Sequence, residues 1–245
     1  MAKKFWKVAN DIINQSDIIL EILDARDISK TRNKEIEDKI SIVNKYLIYV
    51  INKCDLVNKS DLEKESKKLK NSIFVSSTEY HGFKMLKERI IILGKKMNKL
   101  PVVGVVGYPN VGKSSVINAL KGKHSAKTSS ESGFTKGVQM ISTKKFVLLD
   151  TPGVVSYKEN DEIKLGSIGA IDFSKVKDPE DVAYELISKN KDFLISNYDL
   201  ECEEEDFLES LAFKMNYLMK GGVPDIKRAA RKLLQDWQKG KIKII

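Results

Sequence analysis

Cysteine is scarce: the chain has two in 245 residues, Cys54 inside a short motif and Cys202 in an acidic run. That is too few for a disulfide framework or a zinc site, and both are expected to be free thiols. No stretch approaches the roughly 18 consecutive apolar residues that a membrane-spanning helix needs. The N-terminus Met1-Ala2-Lys3-Lys4-Phe5-Trp6 also lacks the apolar segment of a signal peptide. A cytoplasmic protein with no membrane partner is expected. Disorder is excluded by a hydrophobic content of 42%, and the length suits one full α/β domain plus a smaller module.

What is abundant is positive charge, a formal +9. Clustered Lys and Arg raise the local concentration of phosphate-bearing ligands, which makes RNA a candidate partner, although a Lys-rich surface also serves solubility alone. Placement along the chain must decide between the two.

Four apolar runs end at polar motifs: Ile18 to Leu23 before Asp24-Ala25-Arg26, Tyr46 to Ile51 before Asn52, Ile73 to Val75 before Ser76-Ser77-Thr78, and Val102 to Val106 before Gly107. They read as buried parallel strands. Val138 to Ile141 and Phe146 to Leu149 suggest an antiparallel hairpin at one edge. Polar segments with periodic apolar positions lie between them, at 4–15, 34–44, 61–70, 84–96 and 114–120, and read as helices. The alternation predicts a doubly wound, mostly parallel six-stranded α/β sheet. After Gly153 only helical patterns follow: a cap at Asp178-Pro179-Glu180-Asp181 before 182–187, a helix over 204–219, and a last one from Pro224 to Gln238. That predicts one domain over 1–163 and a small all-helical domain over 164–245.

Gly107-Tyr108-Pro109-Asn110-Val111-Gly112-Lys113-Ser114 fits the phosphate loop G-x-x-x-x-G-K-[ST], with a strand before it and a helix after it. Residues Pro109 through Ser115 are expected to surround the phosphates, the glycines letting successive backbone N–H groups face them, Lys113 to contact the β- and γ-phosphates, and Ser114 to bind Mg²⁺. Asp150-Thr151-Pro152-Gly153 ends a strand: Asp150 would hold the metal and the Gly153 N–H would report on the γ-phosphate. Asn52-Lys53-Cys54-Asp55 reads as a guanine motif. Its carboxylate accepts from N1 and N2 of the base, Lys53 lays its stem on the ring, and Ser76, Ser77 and Thr78 support the base. Thr135, in the polar stretch 122–137, is the candidate second Mg²⁺ ligand.

The order of these motifs is rotated: the guanine motif precedes the phosphate loop, and Asp150-Thr151-Pro152-Gly153 comes last. In a sheet whose ligands sit at the strand ends, rotation leaves the site intact, because convergence is spatial. The segment 82–100 reads as the helix joining the old termini.

These motifs in this order, with Asp24-Ala25-Arg26-Asp27 and Leu233-Leu234-Gln235-Asp236-Trp237-Gln238-Lys239-Gly240-Lys241, resemble the circularly permuted GTPases of the YlqF/YawG type. The resemblance covers essentially the whole chain. It implies a GTP-hydrolysing switch, with GTP and GDP as ligands, that assists assembly of the large ribosomal subunit through a helical rRNA-binding domain; a monomer is expected. Lys227, Arg228, Arg231 and Lys232, opposite the apolar face of the last helix, are the candidate RNA contacts, a solvated helix face being the plainer alternative.

Val154 stands where many GTPases have a water-orienting Gln, so slow intrinsic hydrolysis is expected, with Lys113, Thr135 and Gly153 serving the reaction. Asn110 matches a phosphate-loop Asn associated in related GTPases with K⁺-assisted hydrolysis, or simply forms a turn. The Pro-Gly-His motif of some relatives is missing, and neither His81 nor His124 is assigned catalysis. Competing readings are a GTPase of small-subunit or other RNA maturation, and a GTP-dependent scaffold with negligible turnover.

Overall fold

The apolar runs that end at motifs are strands in the computed structural model, which describes residues 2–121, 126–127, 139–150 and 161–245. The chain divides into two compact units, Met1–Asp55 with Lys59–Lys158, and Glu159–Ile245 with Leu56–Asn58.

The first unit runs α1 (Ala2–Gln15), β1 (Ile18–Asp24), α2 (Ile28–Thr31), α3 (Lys34–Ile42), β2 (Tyr46–Asn52), α4 (Lys59–Ser66), β3 (Ser72–Phe74), α5 (Phe83–Lys96), β4 (Val102–Val106), α6 (Lys113–Lys121), β5 (Ala126–Lys127), β6 (Gln139–Ser142) and β7 (Val147–Asp150). One sheet holds all the strands in the order β3-β2-β1-β4-β7-β6-β5. Neighbours are parallel except for β6, which runs antiparallel to β7, and β5, which runs antiparallel to β6. The six expected strands are all present. A seventh, the two-residue β5, joins the edge; it is too short to carry a periodic signal.

All seven residues of β1 are buried, as a central strand covered on both faces requires. Ile19 packs with Ala9, Ile12 and Ile13 of α1 and with Ile36 and Ile40 of α3, so these helices share one face. From β1 to β3 the chain steps one way along the sheet; from β3 through α5 to β4 it steps back. Right-handed crossovers therefore place α5 and α6 on the opposite face. The reversal falls between β1 and β4, and their carboxyl ends, Asp24 and Val106, flank the crevice where such sheets bind ligands.

Glu21 lies at the middle of β1, fully buried, with Oε1 accepting from the Asn33 backbone N–H at 2.8 Å. Burial pushes its carboxyl up from 4.5 to about 8; the Asn33 hydrogen bond opposes this, Glu37 adds to it, and Arg32 opposes it. The unfolded chain releases this proton near 4.5 while the folded chain keeps it until about 8. Between those values the folded state binds more protons, so stability falls as pH rises and is level outside the window. We expect Glu21→Gln to remove a component on the order of a few kcal/mol from the pH dependence of urea unfolding. An unaltered pH profile in the variant would show that Glu21 does not carry it.

The second unit is helical: α7 (Glu162–Ser167), α8 (Pro179–Tyr198), α9 (Phe207–Lys214) and α10 (Ile226–Gln238). Its core joins Val182, Leu186 and Leu194 of α8 to Phe207 and Leu211 of α9 and Ala229, Leu233, Leu234 and Trp237 of α10. Two helix lengths differ from the sequence expectation. The first is α8, which continues past Ile187 to Tyr198 through a kink at Asn190, whose side-chain amide donates to the Leu186 carbonyl. The second is α9, which stops at Lys214 because Asn216 adopts φ 54°, a left-handed conformation that ends a helix. No helix among the described residues is long and apolar enough to cross a membrane.

Candidate nucleotide site

The phosphate loop leaves β4 and feeds the first turn of α6. Its shape depends on residues that tolerate left-handed backbone: Gly107 at φ 142°, Asn110 at 60° and Gly112 at 97°. Val111 and Tyr108 are buried and anchor the loop from below. Lys113 is buried too, and its Nζ donates to the Gly107 carbonyl at 2.9 Å and the Tyr108 carbonyl at 2.5 Å. The ammonium thus lies across the loop it follows. Pro109 is half-buried, while Asn110, Ser114 and Ser115 are exposed.

The guanine motif meets this loop directly. Asn52, the last residue of β2, is 2% exposed. Its Nδ2 donates to the Val111 carbonyl at 2.8 Å, and its Oδ1 accepts from the Ser77 hydroxyl at 2.9 Å and the Ser77 N–H at 3.3 Å. A single amide therefore ties together three segments that are 25 and 59 residues apart in sequence. The fit leaves no slack, since a Cβ on Gly112 would lie 2.2 Å from Asn52 Nδ2.

Asp55 divides its oxygens. Oδ2 accepts from the Thr78 hydroxyl at 3.3 Å, whereas Oδ1 is buried and accepts no hydrogen bond among the described residues. A buried carboxylate oxygen without a donor is costly, and a guanine N–H would satisfy it. The supporting turn is closed by reciprocal backbone bonds between Ser76 and His81, and the Ser76 hydroxyl lies 3.2 Å from that of Thr78. Cys54, beside Asp55, is a free thiol. Burial, with Asp55 and Glu79 nearby, pushes it up to about 11, so it is a poor nucleophile at neutral pH.

Lys53 takes a positive φ of 63° and sends its Nζ to Asp24 Oδ2 at 2.7 Å. Asp24 is also gripped by Arg26, through Nε at 3.0 Å and a terminal nitrogen at 2.8 Å. Burial alone would raise the Asp24 carboxyl, but Arg26 and then Lys53 outweigh it and hold the group well below its ordinary range. For Lys53, burial is the largest influence and lowers its ordinary value, with Asp24 opposing. Reading residues one by one gave Asp24 and Arg26 no part in the site. The structure places them at the end of β1, where they fix the lysine that follows Asn52; the signal available was a carboxylate ending a buried strand, two residues before an arginine.

Asp150 ends β7, parallel to β4, which brings it toward the phosphate loop's strand, but its side chain lies outside the described residues. Thr135, Gly153, Val154 and His124 also lie outside them. Among the described residues no group of three or more His, Cys, Asp or Glu could hold a metal ion; Ser114, in the first turn of α6, offers an exposed hydroxyl.

The helical unit uses the basic face of α10 differently from the sequence expectation. Lys227 and Arg228 are exposed, with the Arg228 guanidinium 4.2 Å from the Tyr217 ring centroid. Arg231 instead donates to the Phe173, Ser174 and Val176 carbonyls, and Lys232 pairs with the buried Asp236. These two bind the domain to itself, and the free basic face narrows to Lys227 and Arg228. Asp236 also accepts from the Tyr198 hydroxyl at 3.0 Å, and Gln238 donates to the Ile171 carbonyl and accepts from the Phe173 N–H. The segment 233–241 is thus read by its own domain.

A guanine motif joined to a phosphate loop at the reversal point of this sheet defines a P-loop GTPase domain, with its motifs in permuted order. A family model described as 50S ribosome-binding GTPase matches residues 102–212. The chain resembles the crystal structure of GNP-bound YlqF from T. maritima with TM-score 0.68 and 26% identity, covering 97% of this chain and 94% of that one. GDP-bound YlqF gives TM-score 0.69 at the same identity, covering 96% and 95%. An uncharacterised GTP-binding protein of Methanocaldococcus jannaschii is 43% identical over 96% of this chain and 65% of its own length. Nuclear/nucleolar GTPase 2 of Oryza sativa subsp. indica is 34% identical over 98% of this chain and 48% of its own length. The chain therefore spans less than two thirds of the archaeal relative and about half of the rice one. It belongs to the circularly permuted GTPases of the YlqF/YawG type.

Proposed function

We propose that this protein is a slow GTP-hydrolysing switch in assembly of the large ribosomal subunit, binding rRNA or a pre-ribosomal particle as a monomer in the cytoplasm. The observation that carries the nucleotide part is the Asn52 bridge, which unites the guanine motif, its supporting loop and the phosphate loop. The ribosomal part is supported by the 50S description of the matching family model and the nucleolar names of relatives. In this reading Asn52, Asp55 and the 76–78 turn bind the base, Lys53 covers it, and Pro109 to Ser115 with Gly153 bind the phosphates. Mg²⁺, held by Ser114, Thr135 and Asp150, supplies charge neutralisation at the phosphates when bound. Lys113 stabilises charge on the transferring phosphoryl group, and Thr135 and Gly153 sense it. The first compact unit is the GTPase domain and the helical unit, which begins at Glu159 rather than at residue 164, the rRNA-binding domain, with Lys227 and Arg228 as its phosphate contacts.

Val154 has no group that orients water, so turnover depends on a group supplied from outside, with K⁺ near Asn110 one source. GTP hydrolysis should be measured in sodium and potassium buffers, with large subunits, small subunits or neither. We expect stimulation by large subunits and by potassium. Stimulation by small subunits alone would move the protein to another assembly step, and indifference to both subunits would remove the ribosomal assignment.

A further inference from the structure

The GTPase unit carries a second basic feature, outside the nucleotide motifs themselves. The helix α5 presents Lys84, Lys87, Ile91 and Lys95 at spacings of three and four, which places them on one face. Opposite that face, the turn between β6 and β7 presents Lys144 and Lys145. Between them runs a groove of about 520 Å³, lined by Lys84, Lys87, Lys144 and Lys145 around Ile91 and Phe146. A second cavity of about 590 Å³ shares Ile91 and Lys145 and extends the groove along α5 past Lys95 and Lys99.

Three properties suit this groove to a polyanion. First, Lys84, Lys87, Lys144 and Lys145 form no ion pair among the described residues, and Glu88 is the carboxylate in the lining; Lys99, by contrast, is already paired with Asp17 at 2.6 Å. Four lysines facing one carboxylate leave the groove net positive, and a bound anion relieves their mutual repulsion. Second, the turn is preorganised. The Thr143 hydroxyl donates to the Phe146 carbonyl at 2.7 Å and accepts from the Phe146 N–H at 3.1 Å, while Phe146 is buried beneath. Lys144 and Lys145 therefore stand on a fixed backbone, which loses little freedom on binding. Third, α5 is 14 residues long, about 20 Å, enough to follow several consecutive phosphates. Lysine is depleted in protein–protein interfaces and favoured where phosphates are neutralised, which selects RNA over an acidic protein.

We propose that this lysine-lined groove between α5 and the β6–β7 turn is a second RNA-binding surface, on the GTPase unit itself, that takes the sugar-phosphate backbone of structured RNA. It rests on the RNA-binding reading above. Its position has a consequence for the switch, because β7 runs from the turn to Asp150, so RNA held there grips the near end of the strand whose far end carries the proposed metal ligand.

The test uses the whole chain and a labelled RNA duplex of about 20 base pairs, with Kd measured between about 50 and 200 mM KCl. Wild type is compared with K84Q/K87Q/K144Q/K145Q and with K227Q/R228Q, and GDP affinity and melting temperature report folding. We expect the groove variant to bind GDP normally, to lose at least about tenfold in RNA affinity, and to flatten the salt dependence by roughly three phosphate contacts. Should that variant misfold, K144E/K145E alters two exposed side chains and should lower affinity in the same direction. Unaltered RNA binding by both groove variants, with loss only in K227Q/R228Q, overturns this proposal and leaves the RNA-binding reading standing. Retained duplex affinity with lost binding to large subunits would assign the groove to a ribosomal protein and overturn it equally. A wild-type chain that binds no RNA removes both readings.

Discussion

Replacing Asp55 by Asn should exchange guanine preference for xanthine preference. Guanine presents two donors on one edge, N1–H and the N2 amino group, and a carboxylate accepts both. An amide has one acceptor and one donor, which matches xanthine, whose N2 amino group is replaced by a carbonyl oxygen. In the structure Oδ2 of Asp55 is braced by the Thr78 hydroxyl and Oδ1 is buried with no donor, so the side chain is aimed before any base arrives. Each charged hydrogen bond contributes about 1.5–3 kcal/mol; the amide keeps one acceptor but loses the other and turns a donor toward the base, so GDP binding should weaken by at least roughly 10- to 100-fold. Competition between labelled GDP and xanthosine diphosphate reads both effects. Undiminished guanine affinity in Asp55→Asn would falsify the assignment of this edge to the base, while leaving the phosphate loop untouched.

A single methyl group at Gly112 should be nearly as damaging. Two costs coincide there, a φ of 97° that side chains rarely adopt and a Cβ that would lie 2.2 Å from Asn52 Nδ2. Asn52 cannot retreat, because it is buried and held by Ser77 on its other side. Either the loop shifts or the bond to the Val111 carbonyl breaks, and both displace phosphate loop and base loop relative to each other. We expect Gly112→Ala to cost about 1–3 kcal/mol of stability and, at the upper end of that range, about 100-fold in GDP affinity. Gly221→Ala is the control: its φ is 90°, yet nothing lies within 4 Å of the added Cβ, so it isolates backbone strain from the clash. Equal behaviour of the two variants in thermal melting and GDP titration would mean that the Asn52 contact has no part in binding.

Some elements were legible from short-range pattern alone and others were not, for physical reasons. Strands β1, β2 and β4 are apolar runs bounded by polar motifs, and burial on both faces is what writes such runs. The two-residue β5 has no period of its own and exists because β6 offers it an edge. The short helix α2 is held by local capping: the Asp27 carboxylate accepts from the Lys30 N–H and the Thr31 hydroxyl donates to the Asp27 carbonyl. Polar capping of one turn leaves no apolar stripe to find. On α10 the apolar side was readable, with Ala229, Leu233, Leu234 and Trp237 buried together. The basic side was readable only in part: Asp236 follows Lys232 by four residues on the same helix, a pairing that the spacing allows, whereas nothing around Arg231 reveals the Phe173, Ser174 and Val176 carbonyls that await it.

The identities and rotated order of the nucleotide motifs were determined by the sequence by itself, because each is a contiguous stretch in which backbone shape and side-chain chemistry are set within a few residues. So were the alternation of strands and helices and the helical character of the C-terminal part. Only the tertiary structure decided how those stretches act together. It was the sheet order that brought Asn52 to Val111 across 59 residues, and that placed Lys53 on a carboxylate from a neighbouring strand. It was the tertiary fold that engaged Arg231 with the Phe173, Ser174 and Val176 carbonyls, and the fold of α5 against the β6–β7 turn that gathered lysines about 60 residues apart in sequence into one groove. Contacts of that kind depend on where the backbone places side chains in space, and local sequence pattern carries no record of it.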